Sequence, residues 1–445
     1  MPFIHKLSFS DWSGRLKEVV FSSPQDSLKE KGFHTTIITG QNGSHKSTIL
    51  KELVSAIVLI DGEAKIQYGA HSNFSPHVIC VSGSVADRFP LKEKPGGGST
   101  EFDVPDYVYL GQRVGPNLLS KKRPLETLLI SALDNRKGDR YKWGFFRKAH
   151  QFAGIKMSVK FELAIERAFS EDSFHLRDAI VERTIGRGSE RGAPMRRLSP
   201  STAKWLLNEF SDRDFEDFER FLDNGRKRVT VLLSDNGAIC ESIPIAMLRL
   251  GLLADVVGLK DVLVRSSINN SEFSIYELSS GEYHMYSSIL GVGFGVEDSS
   301  IVLIDEPENS LHPQWQQDFM SAVFDIGSQG LALGHIIICT HSPLIVGAAP
   351  EGATVIDLKN EVAPSESSTF GGSSDEILLS QFGLASSRNR VVVDIIQRAV
   401  SLVERGDFGG EEFDLMKPVL TSLREKMRPH DPIMQILDAL LEEAE

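Results

Sequence analysis

The sequence predicts an α/β fold: a mixed sheet with flanking helices, split by a helical insertion and followed by a helical tail. Three observations predict it. The apolar run Thr35 to Ile38 enters a glycine-rich turn and then a helix with an apolar stripe, Ser47 to Ile60. Further apolar runs, His77–Val81, Ile301–Ile304 and His335–Cys339, each end in polar residues. In open α/β folds such strand ends meet at one edge of the sheet, where ligands bind. From Lys121 to about Asn269 glycines thin out and helical periodicity takes over.

In order along the chain, Phe3–Phe9 and Leu16–Phe21 read as paired strands ahead of the glycine-rich turn. After the first helix and the strand His77–Val81, Tyr107 to Arg113 reads as a strand end that delivers polar side chains. Trp205 to Phe221 reads as a helix, with Leu206, Phe210, Phe218 and Phe221 near one face. Asp212 and Asp214 lie on its solvated side, a bland alternative to metal ligands. Val229–Leu233 and Ile239–Ile243, joined at Asp235-Asn236-Gly237, read as a hairpin. Val262–Ser267 and Phe273–Tyr276 read as another. Leu278-Ser279-Ser280-Gly281-Glu282 opens a helix, and Gly291, Gly293 and Gly295 read as a connector at its end. The strand Ile301–Ile304 runs into Asp305 to Pro313, and a helix starts at Gln314. Thr354–Leu358 is the last strand, and Asn389–Arg405, Glu412–Met427 and Pro432–Glu443 read as three helices. The boundaries are then residues 1–120 and 229–360 for two lobes of one head, 121–228 for the insertion and 361–445 for the tail.

Composition narrows the class. A chain of 445 residues, 41% hydrophobic and 24% charged, can build two or three domains around a large core. The net charge of −13 argues against a surface coated by nucleic acid but leaves room for a local basic patch. Lys121, Lys122, Arg123, Arg136, Lys137, Arg140, Lys142, Arg147 and Lys148 form one basic group, and Arg187, Arg191, Arg196 and Arg197 another. They read either as a solvated face or as a docking surface for nucleic acid or an acidic partner. The N-terminus has no signal-peptide pattern and no run is apolar enough to span a bilayer, so a cytoplasmic protein without membrane contact is expected. Cys80, Cys240 and Cys339 read as reduced thiols.

The chemistry gathers at the glycine-rich turn, Gly40-Gln41-Asn42-Gly43-Ser44-His45-Lys46-Ser47-Thr48. Strand, loop and helix in this order form a phosphate cradle from backbone N–H groups and the helix N-terminus. Lys46 would reach terminal phosphates, and the Ser47 hydroxyl would ligate magnesium. Asp305, at a strand end, would hold the magnesium water shell opposite Ser47, and Glu306 would orient and deprotonate water. His341, after another strand, would hydrogen-bond the γ-phosphate. Gln112 reads either as a contact to magnesium or the attacking water, or as a surface glutamine. Ser279, Ser280 and Gly281 make a second anion site at a helix start, which serves the nucleotide of a second subunit.

Together these segments resemble the motifs of ABC-type ATPases. Gly40–Thr48 looks like Walker A, Leu278–Glu282 like the signature, Ile301–His312 like Walker B and the D-loop, and Thr340–His341 like the switch histidine. The forms Leu-Ser-Ser-Gly-Glu and Asp-Glu-Pro-Glu-Asn-Ser-Leu-His-Pro resemble the branch containing SMC and DNA-repair ATPases and the overcoming-lysogenisation-defect nucleases. The resemblance is greatest to stand-alone AAA-type ATPases of bacterial antiphage systems such as Septu, certain retrons and PARIS. Ser374–Leu379, Phe382-Gly383 and Arg388-Asn389 are similar to a segment of that group. The resemblance implies a homo-oligomer that closes head to tail over ATP and Mg2+, with Ser280 reaching the partner's nucleotide. It implies an ATPase that senses or scaffolds for a separate effector, a nuclease or toxin, in antiphage defence. Two alternatives stay open: a DNA-repair or DNA-maintenance ATPase that clamps DNA through the basic insertion, and an ATP-binding structural protein. The departure from the family pattern is His45, where glycine is usual; it implies slow hydrolysis.

Overall fold

The computed structural model describes residues 4–11, 13–21, 32–41, 43–59, 62–68, 76–94, 98–115, 117–134, 144–165, 175–186, 195, 197–223, 228–330, 333–358, 365–366, 379, 389–406, 410–427, 431 and 433–442. The chain opens with β1 (Ile4–Ser10) and β2 (Leu16–Val20), then β3 (Gly32–Thr39), α1 (Lys46–Val58) and β4 (Lys65–Tyr68). β5 (Val78–Ser82), β6 (Tyr107–Tyr109) and a ribbon of β7 (Arg113–Gly115) and β8 (Leu118–Leu119) follow. The insertion carries α2 (Lys122–Ala132), α3 (Gly144–Phe152), β9 (Ile155–Ile165), α4 (Leu176–Thr184), α5 (Pro200–Glu209) and α6 (Asp212–Asp223). Next come β10 (Arg228–Ser234), β11 (Gly237–Ile239), α7 (Ile245–Leu253), β12 (Val257–Ser266), β13 (Glu272–Ser274) and α8 (Ser280–Gly295). The second lobe closes with β14 (Ile301–Asp305), α9 (Pro313–Gly330), β15 (Leu333–Cys339), α10 (Pro343–Gly347), β16 (Thr354–Asp357) and β17 (Ser365–Glu366). The tail is α11 (Arg390–Glu404), α12 (Glu411–Lys426) and α13 (Met434–Glu442).

The main sheet runs β17-β16-β3-β15-β14-β5-β6, parallel throughout except for β17. Its inner strands β3, β15, β14 and β5 are buried on both faces, and the period of two assigns their residues to two cores. Ile301, Leu303, Ile337 and Cys339 face a layer made by α1 and the antiparallel sheet β2-β1-β4. Val302, Ile304, Ile336 and Ile338 face the other core, built from α8, α9 and the insertion. Register brings Ile38, Cys339, Asp305 and Ser82 level at one edge. His335 ties the layers together: its Nδ1 accepts from the Ile4 N–H at 3.1 Å and its Nε2 lies 2.9 Å from Thr36 Oγ1. Thr36 gives its own proton to the Phe21 carbonyl, so Nε2–H is the donor and the ring is neutral.

The insertion is helical as expected, with one addition. β9 enters an antiparallel sheet, β11-β10-β9-β12-β13, and pairs with β10 and β12 along its length. Both predicted hairpins are there, β10 with β11 and β12 with β13. Two expectations are corrected. The single helix over Trp205–Phe221 is two helices: Phe210 is extended, and the Ser211 hydroxyl and Asp214 carboxylate cap a new start at Asp212. Asp214 is thus a capping residue. Gly291, Gly293 and Gly295 are no connector; they lie within α8, where every residue from Tyr283 to Gly295 is buried. A Cβ at Gly293 would stand 2.2 Å from Phe145 of α3, and one at Gly291 2.6 Å from Leu110, so these glycines permit close helix packing.

The three tail helices sit as predicted around a core of their own that includes Ile396, Phe413, Leu420 and Leu437. Pro432, Arg388 and the resembling segment Ser374–Gly383, apart from Leu379, lie outside the described residues. Among the described residues no helix is long and apolar enough to cross a membrane, and Cys80, Cys240 and Cys339 are free thiols.

Candidate functional site

Five side chains from three segments meet at the level edge of the sheet. Lys46 opens α1, is 5% exposed and folds back on its own loop. Its Nζ donates to the carbonyls of Gly40 at 3.0 Å and Gln41 at 3.3 Å and lies 2.7 Å from His341 Nε2. His341 Nε2 is 3.4 Å from Glu306 Oε1, and Asn309 donates to Glu306 Oε2 at 2.9 Å. Asp305 hydrogen-bonds Ser47, yet its Oδ1 has no partner although the residue is 1% exposed. Burial pushes the Asp305 carboxyl up to about 7, assisted by Glu306 and Asp87 and opposed by Ser47 and Lys46. Burial likewise pushes the Lys46 amine and the His341 imidazole down, Lys46 itself adding to the shift on His341.

The loop explains how a histidine replaces the usual glycine. His45 has φ 70° and ψ 17°, the left-handed conformation, and its side chain is exposed. Histidine is among the few residues enriched there. Gly43 also needs its left-handed φ of 85°, whereas Gly40 is held by crowding, since a Cβ would stand 2.6 Å from Ser44 Oγ. The buried Ser44 Oγ has no partner of its own. Thr48 accepts from Arg88 at 3.0 Å. Asn42 lies outside the described residues.

Other predicted residues stand apart from this group. Ser279 and Ser280 are exposed at the start of α8. Ser279 caps the helix in a reciprocal pair with Glu282, at 2.9 Å and 3.3 Å. Gly281 is buried against the Ser310 carbonyl and Trp315. Among the described residues no hydrogen bond joins Ser279, Ser280 or Gly281 to the loop around Lys46. Gln112 follows β6, two strands beyond β14, and its carbonyl accepts from Ser120 at 2.7 Å.

Sequence reasoning missed several groups that shape the site. Glu308 Oε1 accepts from the His341 backbone N–H at 2.5 Å, fixing the turn that presents the ring. Glu306 has φ 48°, and its carbonyl packs on Gly83, where a Cβ would stand 2.2 Å away. Asp87 gathers Tyr109 at 2.7 Å and Arg113 at 3.2 Å. Glu308 lies within the quoted Asp305–Pro313 stretch; Asp87 and Arg88 carry no motif. Of the basic residues, Lys121, Lys122 and Arg147 are exposed. Arg123 is held by Glu93 and Glu126, Lys148 by Asp325, and Arg197 by Glu93 and Asp255. Arg136, Lys137, Arg140, Lys142, Arg187, Arg191 and Arg196 lie outside the described residues.

Residues 35–347, well over half the chain, match the family model described as "AAA domain, putative AbiEii toxin, Type IV TA system". The chain belongs to this AAA-domain family. No curated protein sequence matches it. Among solved structures it is similar to an Smc head domain with an extended coiled coil, bound to the C-terminal domain of ScpA, from Pyrococcus furiosus. That likeness has 13% identity over 80% of this chain and 93% of that one, with a TM-score of 0.32. It is also similar to a nucleotide-free ATP-binding cassette from an ABC transporter, at 12% identity over 86% and 96% and a TM-score of 0.29. The SMC head domain from Thermotoga maritima matches at 13% identity over 79% and 94%, with a TM-score of 0.24. These likenesses are distant, and membership rests on the sequence match. As an AAA domain, the chain has a nucleotide-binding ATPase fold.

Proposed function

We propose that this AAA domain binds ATP with Mg2+ at the Lys46 loop, hydrolyses it slowly, and closes head to tail with a second copy. One observation carries the reading: Lys46, Ser47, Asp305, Glu306 and His341 converge at one sheet edge, with a buried carboxylate oxygen left unpartnered. That orphaned oxygen beside a hydroxyl fits a hard cation. No group of three or more His, Cys, Asp or Glu among the described residues could hold a metal alone, so phosphate oxygens and water would complete the set. Ser47 and Asp305 would hold Mg2+, which would supply neutralisation of phosphate charge. Lys46 would leave the Gly40 and Gln41 carbonyls for phosphate oxygens. Glu306 would take the proton of the attacking water, and His341 would donate to the γ-phosphate. The cradle would be formed by Gly40, Asn42, Gly43, Ser44, His45 and Thr48. Ser279, Ser280 and Gly281 would face the partner's nucleotide, consistent with the exposure of the two serines. Glu306→Gln tests this: turnover should fall on the order of 100-fold while ATP is retained and a dimer accumulates in gel filtration. Unchanged turnover removes Glu306 from its role.

The use proposed for the cycle is DNA maintenance, with DNA clamped through the basic insertion. Lys121 and Lys122 are exposed beside the signature helix, Lys121 lying 5.4 Å over the Tyr283 ring, so head closure would move them together with the signature. Lys121→Glu with Lys122→Glu should weaken duplex DNA binding and flatten its salt dependence by about two charges; an unchanged slope would refute the clamp. A second reading, an ATP-dependent sensor or scaffold for a separate effector in bacterial defence, is favoured by the toxin system named in the family description. A nuclease or toxin that co-purifies only in the presence of ATP would select it.

A further inference from the structure

Between the edge strand β6 and the insertion lies a cavity of about 330 Å³, within the ~300–1,000 Å³ of small-molecule sites. Its charges are unevenly engaged. Glu93 is taken by Arg123 and Arg197, Asp134 by Arg249, and Asp103 accepts from the Ser199 N–H at 2.8 Å. Three cations keep donors in reserve. Lys92 donates one proton to the Val104 carbonyl at 2.9 Å and sits 5.9 Å over the Tyr107 ring, with no carboxylate at ion-pair distance among the described residues. Arg113 is held by Asp87 and the Phe89 carbonyl, but its buried Nε–H has no acceptor. Arg249 has a side chain 10% exposed, bonds Asp134 and Glu209 through its terminal nitrogens and stacks on Trp205, yet its Nε–H also has no acceptor. Buried donors without acceptors are costly, at about 1–3 kcal/mol each.

We propose that this cavity binds a phosphate-bearing small molecule of mononucleotide size, and that its occupancy is coupled to the ATP loop. Lys92, Arg113 and Arg249 give the lining three incompletely engaged cationic side chains beside the carboxylates Asp106, Asp255 and Glu297, and the volume leaves room for a phosphate with an organic body beyond it. An anion here also compensates Lys92, whose amine burial pushes below its ordinary range. The coupling route is short. Asp87, which holds Arg113, adds to the charge felt by Asp305, and the next residue, Arg88, holds Thr48 of α1.

The binding arm does not depend on the ATPase reading, because it uses the full chain with Lys46→Ala, which silences the loop. Calorimetric titration with AMP should give saturable binding, inorganic phosphate weaker binding and adenosine none. Lys92→Met should weaken AMP by about tenfold or more; should that variant fail to fold, Arg197→Glu, half-exposed on the cavity lining, serves instead. No saturable AMP binding, or binding that neither variant weakens, overturns the site. The coupling arm rests on the proposed ATP site and uses the chain with Lys46 intact. Saturating AMP should shift ATP affinity, and Lys92→Met should abolish the shift. No shift, or a shift that persists in Lys92→Met as competition at the loop, overturns the coupling; failure of ATP itself to bind instead sinks the ATPase reading.

Discussion

His45 holds the left-handed conformation at the end of the glycine-rich loop, with φ 70° and an exposed side chain. The backbone therefore keeps the shape a glycine would give it, at a cost of roughly 1–2 kcal/mol. On the proposed reading, the ring would slow hydrolysis by standing where a partner's signature would close, with the loop backbone keeping its left-handed turn. His45→Gly should raise stability by about 1 kcal/mol in denaturant unfolding, leave ATP affinity unchanged and raise turnover severalfold. Equal turnover would acquit the histidine of slowing hydrolysis. Lys46, Ser47, Asp305, Glu306 and His341 were legible because each ends or follows an apolar run, and level strand ends meet in space. The partners that orient them were not. Glu308 reaches His341 across 33 residues and Arg88 reaches Thr48 across 40, distances over which no local pattern carries a signal.

At the scale of elements, α8 joins the exposed Ser279 and Ser280 to the buried heart of the molecule. It is buried on every side, so amphipathic periodicity does not mark it, and its glycines read as a break. The structure gives them a packing role: Phe145 of α3 lies over Gly293 and meets Phe294 edge to face with ring centroids 5.0 Å apart. Gly293→Ala gains ~1 kcal/mol of helix propensity but drives a methyl into Phe145, at about 1–3 kcal/mol. The expected outcome is a net loss of stability, seen as a lower denaturation midpoint; a higher midpoint would show that the ring gives way freely. β9 shows the opposite lesson. Ile155 to Ile165 alternates strictly, with Val159, Phe161 and Leu163 buried, but the surrounding helical periodicity obscured a clear strand signal. The break at Ser211 was written in the Ser-x-x-Asp pattern, and the apolar stripe running through it masked the cap.

Across the whole molecule, the two cores are pinned by imidazoles that must remain neutral. His335 ties β1 to the main sheet, His150 donates to the Phe146 carbonyl at 2.7 Å where α3 meets α8, and His284 stacks on Phe319 between α8 and α9. Burial pushes all three down, His150 and His284 to about 4. The unfolded chain takes up protons at these groups below about 6.5 while the folded chain does not, so their stabilisation is complete above that pH and is lost as pH falls towards 4. Asp305 and Glu308, raised by burial, act in the opposite sense, since the folded state binds their protons first. The total pH slope is therefore a difference of opposed contributions, and a single imidazole is best isolated by comparison. His150 is suited to this because its hydrogen-bond partners, Phe146 and Tyr286, carry no charge at these pH values and lie in the α3–α8 core, and among the described residues Asp235 is the one charge that acts on it. Replacing it by Gln removes the titration and leaves Asp305 and Glu308 in place. The stability gap between the native chain and His150→Gln should narrow by about 1.4 kcal/mol between pH 7.5 and pH 5.5, measured by urea unfolding at each pH. A gap that stays constant would mean that His150 is already protonated in the folded state or is reached by water, and burial would not be what keeps the ring neutral.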